Sequence, residues 1–219
     1  VRFLFASSSE IFGNPDFCPQ DENTLCSPVS PYGMAKLFVT QQVRFQRDYH
    51  EMFASCAILY NHESYRRPVD FVTRKVTLSA VAISRGLLQF MEIGNLDARR
   101  DWGHAEDYVC AMWMILQQET GSDYIVSSGE LHSVRDLVTF AFTCAGISLR
   151  WDGVGLNEVG VDRISGVIRV KVNPHFYRPE DKKVTELTKV VEPAYLLGDN
   201  SKLKKIGWTT THSFKDLIH

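Results

Sequence analysis

Tyr32 and Lys36 stand four residues apart in the stretch Ser30-Pro31-Tyr32-Gly33-Met34-Ala35-Lys36. On a helix that spacing makes them surface neighbours. An ammonium beside a phenol favours the phenolate, and a phenolate reached near neutral pH serves as a general base. Taken alone, such a pair also turns up by chance on exposed helix faces. Upstream, Ser7-Ser8-Ser9-Glu10 follows an apolar run at residues 1–6 that reads as a buried strand. Hydroxyls and a carboxylate at a strand's C-terminal end lie where open α/β sheets bind ligands. A serine-rich turn with a solvated Glu10 is the plainer alternative. Downstream, Asn61-His62-Glu63-Ser64-Tyr65-Arg66-Arg67-Pro68 is a dense polar and basic loop. Its arginine pair is either a solvated turn or the guanidinium pair that phosphate recognition uses.

The elements that must hold these residues follow from capping and periodicity. Ser30 suits an N-cap and Pro31 a first helical position, which predicts a helix running to about residue 50. Residues 54–60 form a second buried-strand pattern, completing a strand–loop–helix–strand unit and favouring a parallel sheet. Val72, Val76, Ala80 and Ile83 recur at helical spacing and Gly86 ends that helix. Short strands are predicted at 89–93, 124–126, 147–151 and 167–172, and an amphipathic helix at 105–119. Ser133 with Asp136 predicts a capping box for a helix at 134–144. Asp101 and Asp107 suggest arginine partners or structural ion pairs. Residues 175–179 read as extended, 180–192 as a charged insertion, 201–207 as a short helix, and Ser213 as the start of a last one. Gly153-Val154-Gly155 lacks a helix start at the offset a dinucleotide fingerprint needs.

Composition narrows the function class. With 219 residues, 44% hydrophobic and 23% charged, the chain has ordinary globular values and is long enough for one large or two small domains. A net charge of −2 argues against general nucleic-acid binding. No run of 18 apolar residues indicates a membrane span. Five scattered cysteines, none in a C-x-x-C pair, indicate neither a disulfide framework nor a metal site, and fit reduced thiols in a cytoplasmic setting. A chain that opens mid-strand, without an initiator Met or signal peptide, reads as the later part of something longer.

Taken in order, Ser7-Ser8-Ser9-Glu10, Tyr32-x-x-x-Lys36, Asn61-His62-Glu63-Ser64, Phe71-Val72-Thr73-Arg74-Lys75, Gly94-Asn95-Leu96-Asp97, Arg100-Asp101-Trp102-Gly103-His104, Tyr177-Arg178-Pro179 and Leu197-Gly198-Asp199 resemble the GDP-mannose 4,6-dehydratase family. That family lies within the extended short-chain dehydrogenase/reductase superfamily. The resemblance spans nearly the whole chain, and Asn-His-Glu-Ser and Phe-Val-Thr-Arg-Lys are its most specific parts.

The resemblance implies an α/β fold, an incomplete Rossmann-type doubly wound parallel sheet with a smaller α/β substrate-binding domain. Residues 1–64 would be the C-terminal part of the NAD(P)-binding domain and 65–219 mainly the GDP-sugar domain, with about 89–119 returning to the Rossmann part. It implies a lyase that uses NADP to convert GDP-mannose into GDP-4-keto-6-deoxymannose, working as a cytoplasmic homo-oligomer. Tyr32 would be the base at the sugar's 4-hydroxyl, Lys36 would hold the nicotinamide ribose, and Glu10 would take the C5 proton and help expel water from C6. Ser8 would hydrogen-bond the 4-oxygen. His62 and Arg67 match cofactor-contacting positions, and Asn61, Lys75, Arg100 and Arg178 match substrate-side positions.

The sequence departs from the family pattern in several places. Ser8 replaces a threonine, which removes a methyl and some rotamer restriction. Tyr65 replaces a proline before the arginine pair, which loosens a loop that in the family reaches a neighbouring subunit's NADP. Residues 180–195 are longer and more charged than usual near the sugar end, leaving a related GDP-sugar such as a manno-heptose open as substrate. The Gly-rich turn that would seat the cofactor pyrophosphate at a helix N-terminus is not among these residues. These residues alone are therefore expected to be inactive, and a catalytically dead GDP-sugar-binding module is the competing reading. An epimerase or 4-reductase outcome on the same scaffold is a further alternative, and Glu10 speaks against it, since a simple 4-reductase needs no carboxylate to drive elimination.

Overall fold

The computed structural model describes residues 1–176 and 195–219. In chain order the elements are β1 (Phe3–Ser8), α1 (Pro31–His50), β2 (Ala54–Leu59), β3 (Asn61–Glu63), α2 (Val72–Ser84), β4 (Met91–Ile93), β5 (Arg99–His104) and α3 (Ala105–Leu116). After these come β6 (Asp123–Val126), β7 (Leu131–Ser133), α4 (Val134–Cys144), β8 (Leu149–Asp152), β9 (Val159–Asp162), β10 (Ile168–Val172) and α5 (Ser201–Lys205). The charged insertion predicted at 180–192 and the Arg178 position lie outside the described residues. Among the described residues, no helix is long and apolar enough to cross a membrane.

The chain divides into two compact units. The first comprises the described residues of Val1–Ser64, Arg100–Leu131 and Glu192–Leu217; the second comprises those of Tyr65–Arg99, His132–Val191 and Ile218–His219.

In the first unit β2 is the middle strand of a parallel sheet in the order β1-β2-β6, with Ser8 opposite Leu59 and Ala57 opposite Tyr124. All six β2 residues are buried, which explains why Ala-Ser-Cys-Ala-Ile-Leu reads as an unbroken run rather than an alternation. Successive side chains leave opposite faces of the sheet. Ala57 and Leu59 join Tyr124 and Val126 under Tyr108, Ala111 and Ile115 of α3, with Leu203 and Trp208. Ala54 and Cys56 meet Val43 of α1 on the other face. Helices on both faces make this a doubly wound sheet.

The α1 start is set locally. Ser30 Oγ accepts the Gly33 amide proton at 3.0 Å, Pro31 occupies the first turn, and Glu51 closes the helix in the left-handed region at φ 51°. The second unit pairs α2 with α4 beside a four-stranded sheet in the order β4-β10-β9-β8, parallel at β4–β10 and antiparallel elsewhere. Ser133 and Asp136 close the predicted capping box.

Three expectations change. Residues 61–63, read as loop, are a strand: Asn61, His62 and Glu63 pair in parallel with Trp102, Gly103 and His104. Polar side chains hid it, because the pairing comes from backbone brought together across some forty residues. No helix follows Ser213; its amide and hydroxyl both bond Asp216 in a turn. Residues 174–176 form a 3₁₀ turn instead of an extended segment.

Candidate active site

The C-terminal end of β1 runs into a 3₁₀ turn at Ser9–Phe12 whose cap is Ser8. Ser8 is buried, and its hydroxyl oxygen accepts the Glu10 amide proton at 3.3 Å, which fixes where the Glu10 side chain leaves the backbone. Gly13 ends the turn at φ 62°, a conformation suited to glycine, and any Cβ there would meet the Ser27 carbonyl oxygen. The first turn of α1 is held against this turn. The Ser30 hydroxyl reaches Glu10 Oε2 at 3.4 Å. Gly33 lies so close that a Cβ would sit 2.6 Å from the Glu10 carbonyl oxygen.

Lys36 links α1 to β1. Its Nζ donates to the Ala6 carbonyl at 2.8 Å and lies 5.6 Å from the Tyr32 ring centroid and 5.0 Å from that of Phe5. One turn on, Thr40 bonds Ser7 at 2.7 Å in a buried hydroxyl pair. Tyr32 remains 55% exposed, so its phenol is accessible to a ligand. The structure therefore brings Ser8, Glu10, Tyr32 and Lys36 together at the C-terminal end of a parallel strand.

Asn61 and His62 sit just past the end of β2, on β3. His62 Nδ1 lies 2.9 Å from the Tyr60 carbonyl, which as acceptor fixes the Nδ1–H tautomer, and its ring lies 5.2 Å from that of Tyr108. Burial raises both phenols, Tyr60 and Tyr108, above the ordinary tyrosine range, so neither competes as a base. Arg100 enters β5 one residue before Asp101.

Asp101 has different partners from the suggested arginines. It accepts the amides of Ser128, Gly129 and Gly198 and the Ser128 hydroxyl, and burial outweighs these bonds and raises its carboxyl. Asp107 takes the Thr211 and His212 amides and the Thr211 hydroxyl. Both join segments some 30 to 100 residues apart, which spacing rules cannot anticipate.

Arg67 and Lys75 fall in the second unit. The Arg67 guanidinium stacks 3.6 Å over the Phe71 ring centroid. The Tyr65 hydroxyl lies 3.2 Å from Arg66 Nε as acceptor. Lys75 lies 3.7 Å over Phe176 and lines a cavity of about 600 Å³ with Ser79, residues 87–92 and Phe176. Desolvation lowers the Lys75 ammonium, with Glu92 opposing. Arg178 is outside the described residues.

Sequence reasoning did not single out Ser30, Gly33 or Ala6 as parts of the site. Ser30 was legible only as a helix cap, Gly33 carried no reading of its own, and the Ala6 contribution is a backbone carbonyl with no side-chain signal.

The GDP-mannose 4,6 dehydratase family profile matches residues 1–219. A GDP-mannose 4,6 dehydratase of Drosophila melanogaster is 43% identical over 219 residues, all of this chain and 53% of the relative. Those of Homo sapiens and Sinorhizobium fredii are each 42% identical, with 56% and 59% of the relative covered. The chain thus spans a little over half the length of these relatives. Among solved structures, RMD from Pseudomonas aeruginosa, complexed with NADPH, superposes with a TM-score of 0.78 at 18% identity, over 99% of this chain and 64% of that one. A dTDP-glucose 4,6-dehydratase from Bacillus anthracis, in complex with NAD, gives 0.73 at 13% identity, over 99% and 59%. These two likenesses show the Rossmann-type fold. A sequence match from first residue to last, on a doubly wound sheet with the Tyr32 helix beside it, places the chain in the GDP-mannose 4,6 dehydratase family.

Proposed function

We propose that this chain carries the catalytic residues of an NADP-dependent dehydration of GDP-mannose to GDP-4-keto-6-deoxymannose. The observation that carries the proposal is the meeting of α1 with the end of β1. Lys36 bonds Ala6 O at 2.8 Å while Ser30, from the turn before Tyr32, reaches the Glu10 carboxylate at 3.4 Å.

The residues present fit the reacting end of the cofactor. Lys36 uses one ammonium proton on Ala6 O, which leaves two for ribose hydroxyls, beside an exposed phenol. His62 and Arg67 would add contacts to the dinucleotide. Asn61, Lys75, Arg100 and Arg178 would hold the guanosine diphosphate.

In the reaction Tyr32 takes the proton from the sugar's 4-hydroxyl as C4 is oxidised, and Ser8 hydrogen-bonds the same oxygen. NADP, when bound, would supply the hydride acceptor for C4 and the hydride donor for C6, and the addition at C6 would be balanced by one proton taken up at C5, equivalent to the one Tyr32 removed. Oxidation comes first because a 4-keto group acidifies the C5 proton. Glu10 then removes that proton and protonates the departing 6-hydroxyl, so water leaves with no net charge transferred. A homo-oligomer in a cytoplasmic setting belongs to the same reading, in which the unpaired cysteines fit a reducing compartment.

The test incubates the complete gene product with NADP and GDP-mannose and follows loss of one water by mass spectrometry. Glu10→Gln is expected to abolish water loss and leave C4 oxidation measurable. A folded, NADP-binding protein that yields no 4-keto-6-deoxy product refutes the substrate, and a Glu10→Gln variant that dehydrates normally refutes the role of Glu10.

A further inference from the structure

His104, Glu106 and His212 offer three ligand atoms that all lie within 4.8 Å of one another, at the start of α3 and on the segment after Trp208. We infer that this cluster binds a transition-metal dication of the zinc, cobalt or nickel type, a site separate in chemistry from the proposed dehydration. Two imidazoles and one carboxylate are a borderline donor set; magnesium and calcium prefer all-oxygen shells.

The geometry is prepared on the His212 side. His212 Nδ1 stands 3.1 Å from Asp107 Oδ1, and Asp107 is 3% exposed. Asp107 is itself pinned by the Thr211 and His212 amides and the Thr211 hydroxyl. A histidine that gives its Nδ1 proton to an anchored carboxylate presents Nε2 as a lone pair, the arrangement that supports metal-binding histidines. That Nε2 is 3.9 Å from Glu106 Oε2. The His104 ring is stacked on His212 at 4.0 Å and 20°, so the second imidazole is already beside the first.

Around an ion with bonds of about 2.1 Å, tetrahedral ligand atoms sit roughly 3.4 Å apart, so the cluster needs only side-chain adjustment to close. His104 Nδ1 accepts the Glu106 amide proton at 3.2 Å as the α3 cap. Metal capture exchanges that long bond for coordination and turns the His104 ring out of its stack on His212, because lone pairs in two nearly parallel ring planes do not converge on one ion. Glu106 is 77% exposed and His212 29%, which leaves one side open for water to complete the shell. Glu106 and Asp107 together balance the charge of a dication, and the ion would tie residues 211–213 to the first turn of α3.

The experiment titrates chelator-treated protein with ZnCl₂ by calorimetry and, separately, with Co²⁺ by visible absorption. Wild type is expected to bind one Zn²⁺ with micromolar or better affinity, and Co²⁺ to show nitrogen–oxygen ligand-field bands without thiolate charge transfer. His212→Ala, His104→Ala and Glu106→Gln should each weaken binding at least tenfold with unchanged circular dichroism. Glu106 is exposed, so its variant keeps the test usable should a histidine variant fold poorly. Absence of stoichiometric Zn²⁺ uptake, a thiolate band with Co²⁺, or undiminished binding by Glu106→Gln together with either foldable histidine variant overturns the site.

Discussion

The backbone of Gly33 lies against the backbone of Glu10 so closely that a single added methyl would stand 2.6 Å from the Glu10 carbonyl oxygen. The residue after the proposed base thus sets the distance between α1 and the turn that carries the proposed elimination carboxylate. Alanine is the better helix former by about 1 kcal/mol, which alone would make Gly33→Ala stabilising. A methyl pressed on backbone costs about 1–3 kcal/mol, and neither element is a flexible side-chain tip, so the clash wins. Gly33→Ala is expected to lower the melting temperature and, in the complete gene product, to cut the proposed dehydration by roughly 10²-fold through displacement of Glu10. Thermal melts and steady-state turnover check it; an unchanged kcat would show that the contact does not govern the site.

Lys36 has a structural contact and a proposed chemical one, and a substitution can separate them. Lys36→Met keeps the length of the stem and its packing near Phe5 but deprives the Ala6 carbonyl of its donor. Loss of one such bond costs about 1 kcal/mol. Loss of a group that supports a general base costs roughly 10²–10⁴ in rate. The expected outcome in the complete gene product is a folded protein with a small drop in urea midpoint and a collapse of the proposed turnover. Equal proportional losses in both measurements would make Lys36 a purely structural residue.

The features legible in the sequence were the local ones. The Ser30–Pro31 helix start and the Ser133–Asp136 capping box are written within four residues each, and both stand as read. The continuous apolar run of β2 announced burial on both faces. What escaped was set by contacts distant in the chain. The β3 strand is polar and pairs with residues some forty positions later. Asp101 and Asp107 are satisfied by amides and hydroxyls of remote segments and, for Asp107, by the His212 ring, partners that no local spacing announces. Of the candidate site, the side chains of Ser8, Glu10, Tyr32 and Lys36 were readable, whereas the Ala6 carbonyl and the Gly33 contact that fix their spacing were not.

The five cysteines give a test of the first unit's core. Burial pushes the Cys56 thiol up to about 12, with nearby Asp123 adding to the effect, and the side chain is fully enclosed between β2 and α1. Only a thiolate alkylates efficiently, so Cys56 is doubly protected. Burial also raises Cys26, which is partly enclosed. Cys18, Cys110 and Cys144 are exposed. Brief alkylation of the native protein near pH 8, read by peptide mass spectrometry, is expected to label those three, to label Cys26 slowly, and to spare Cys56 until denaturant is added. Fast labelling of Cys56 would contradict the packing of α1 on the sheet.

Asp123, at the start of β6, receives Arg44 Nε at 2.6 Å and Arg47 Nη1 at 2.9 Å, fastening α1 to the sheet. Burial alone would raise its carboxyl, but the Arg47 hydrogen bond and the charges of both arginines outweigh it and hold the group below the ordinary 3.8. A carboxyl depressed on folding contributes stability above its unfolded value and loses it as pH falls through the folded one. The arginine side chains are 20–25% exposed, so the loss on removing the charge lies below that of a fully buried pair. Asp123→Asn is therefore expected to cost about 2–3 kcal/mol at neutral pH. That difference should persist down to the ordinary carboxylate value and shrink below it, where wild type becomes neutral at this position too. Urea unfolding of both proteins from about pH 7 to pH 3 measures the gap. A gap that stays constant across that range would assign the cost of the substitution to packing, leaving the ion pairs without a stabilising role.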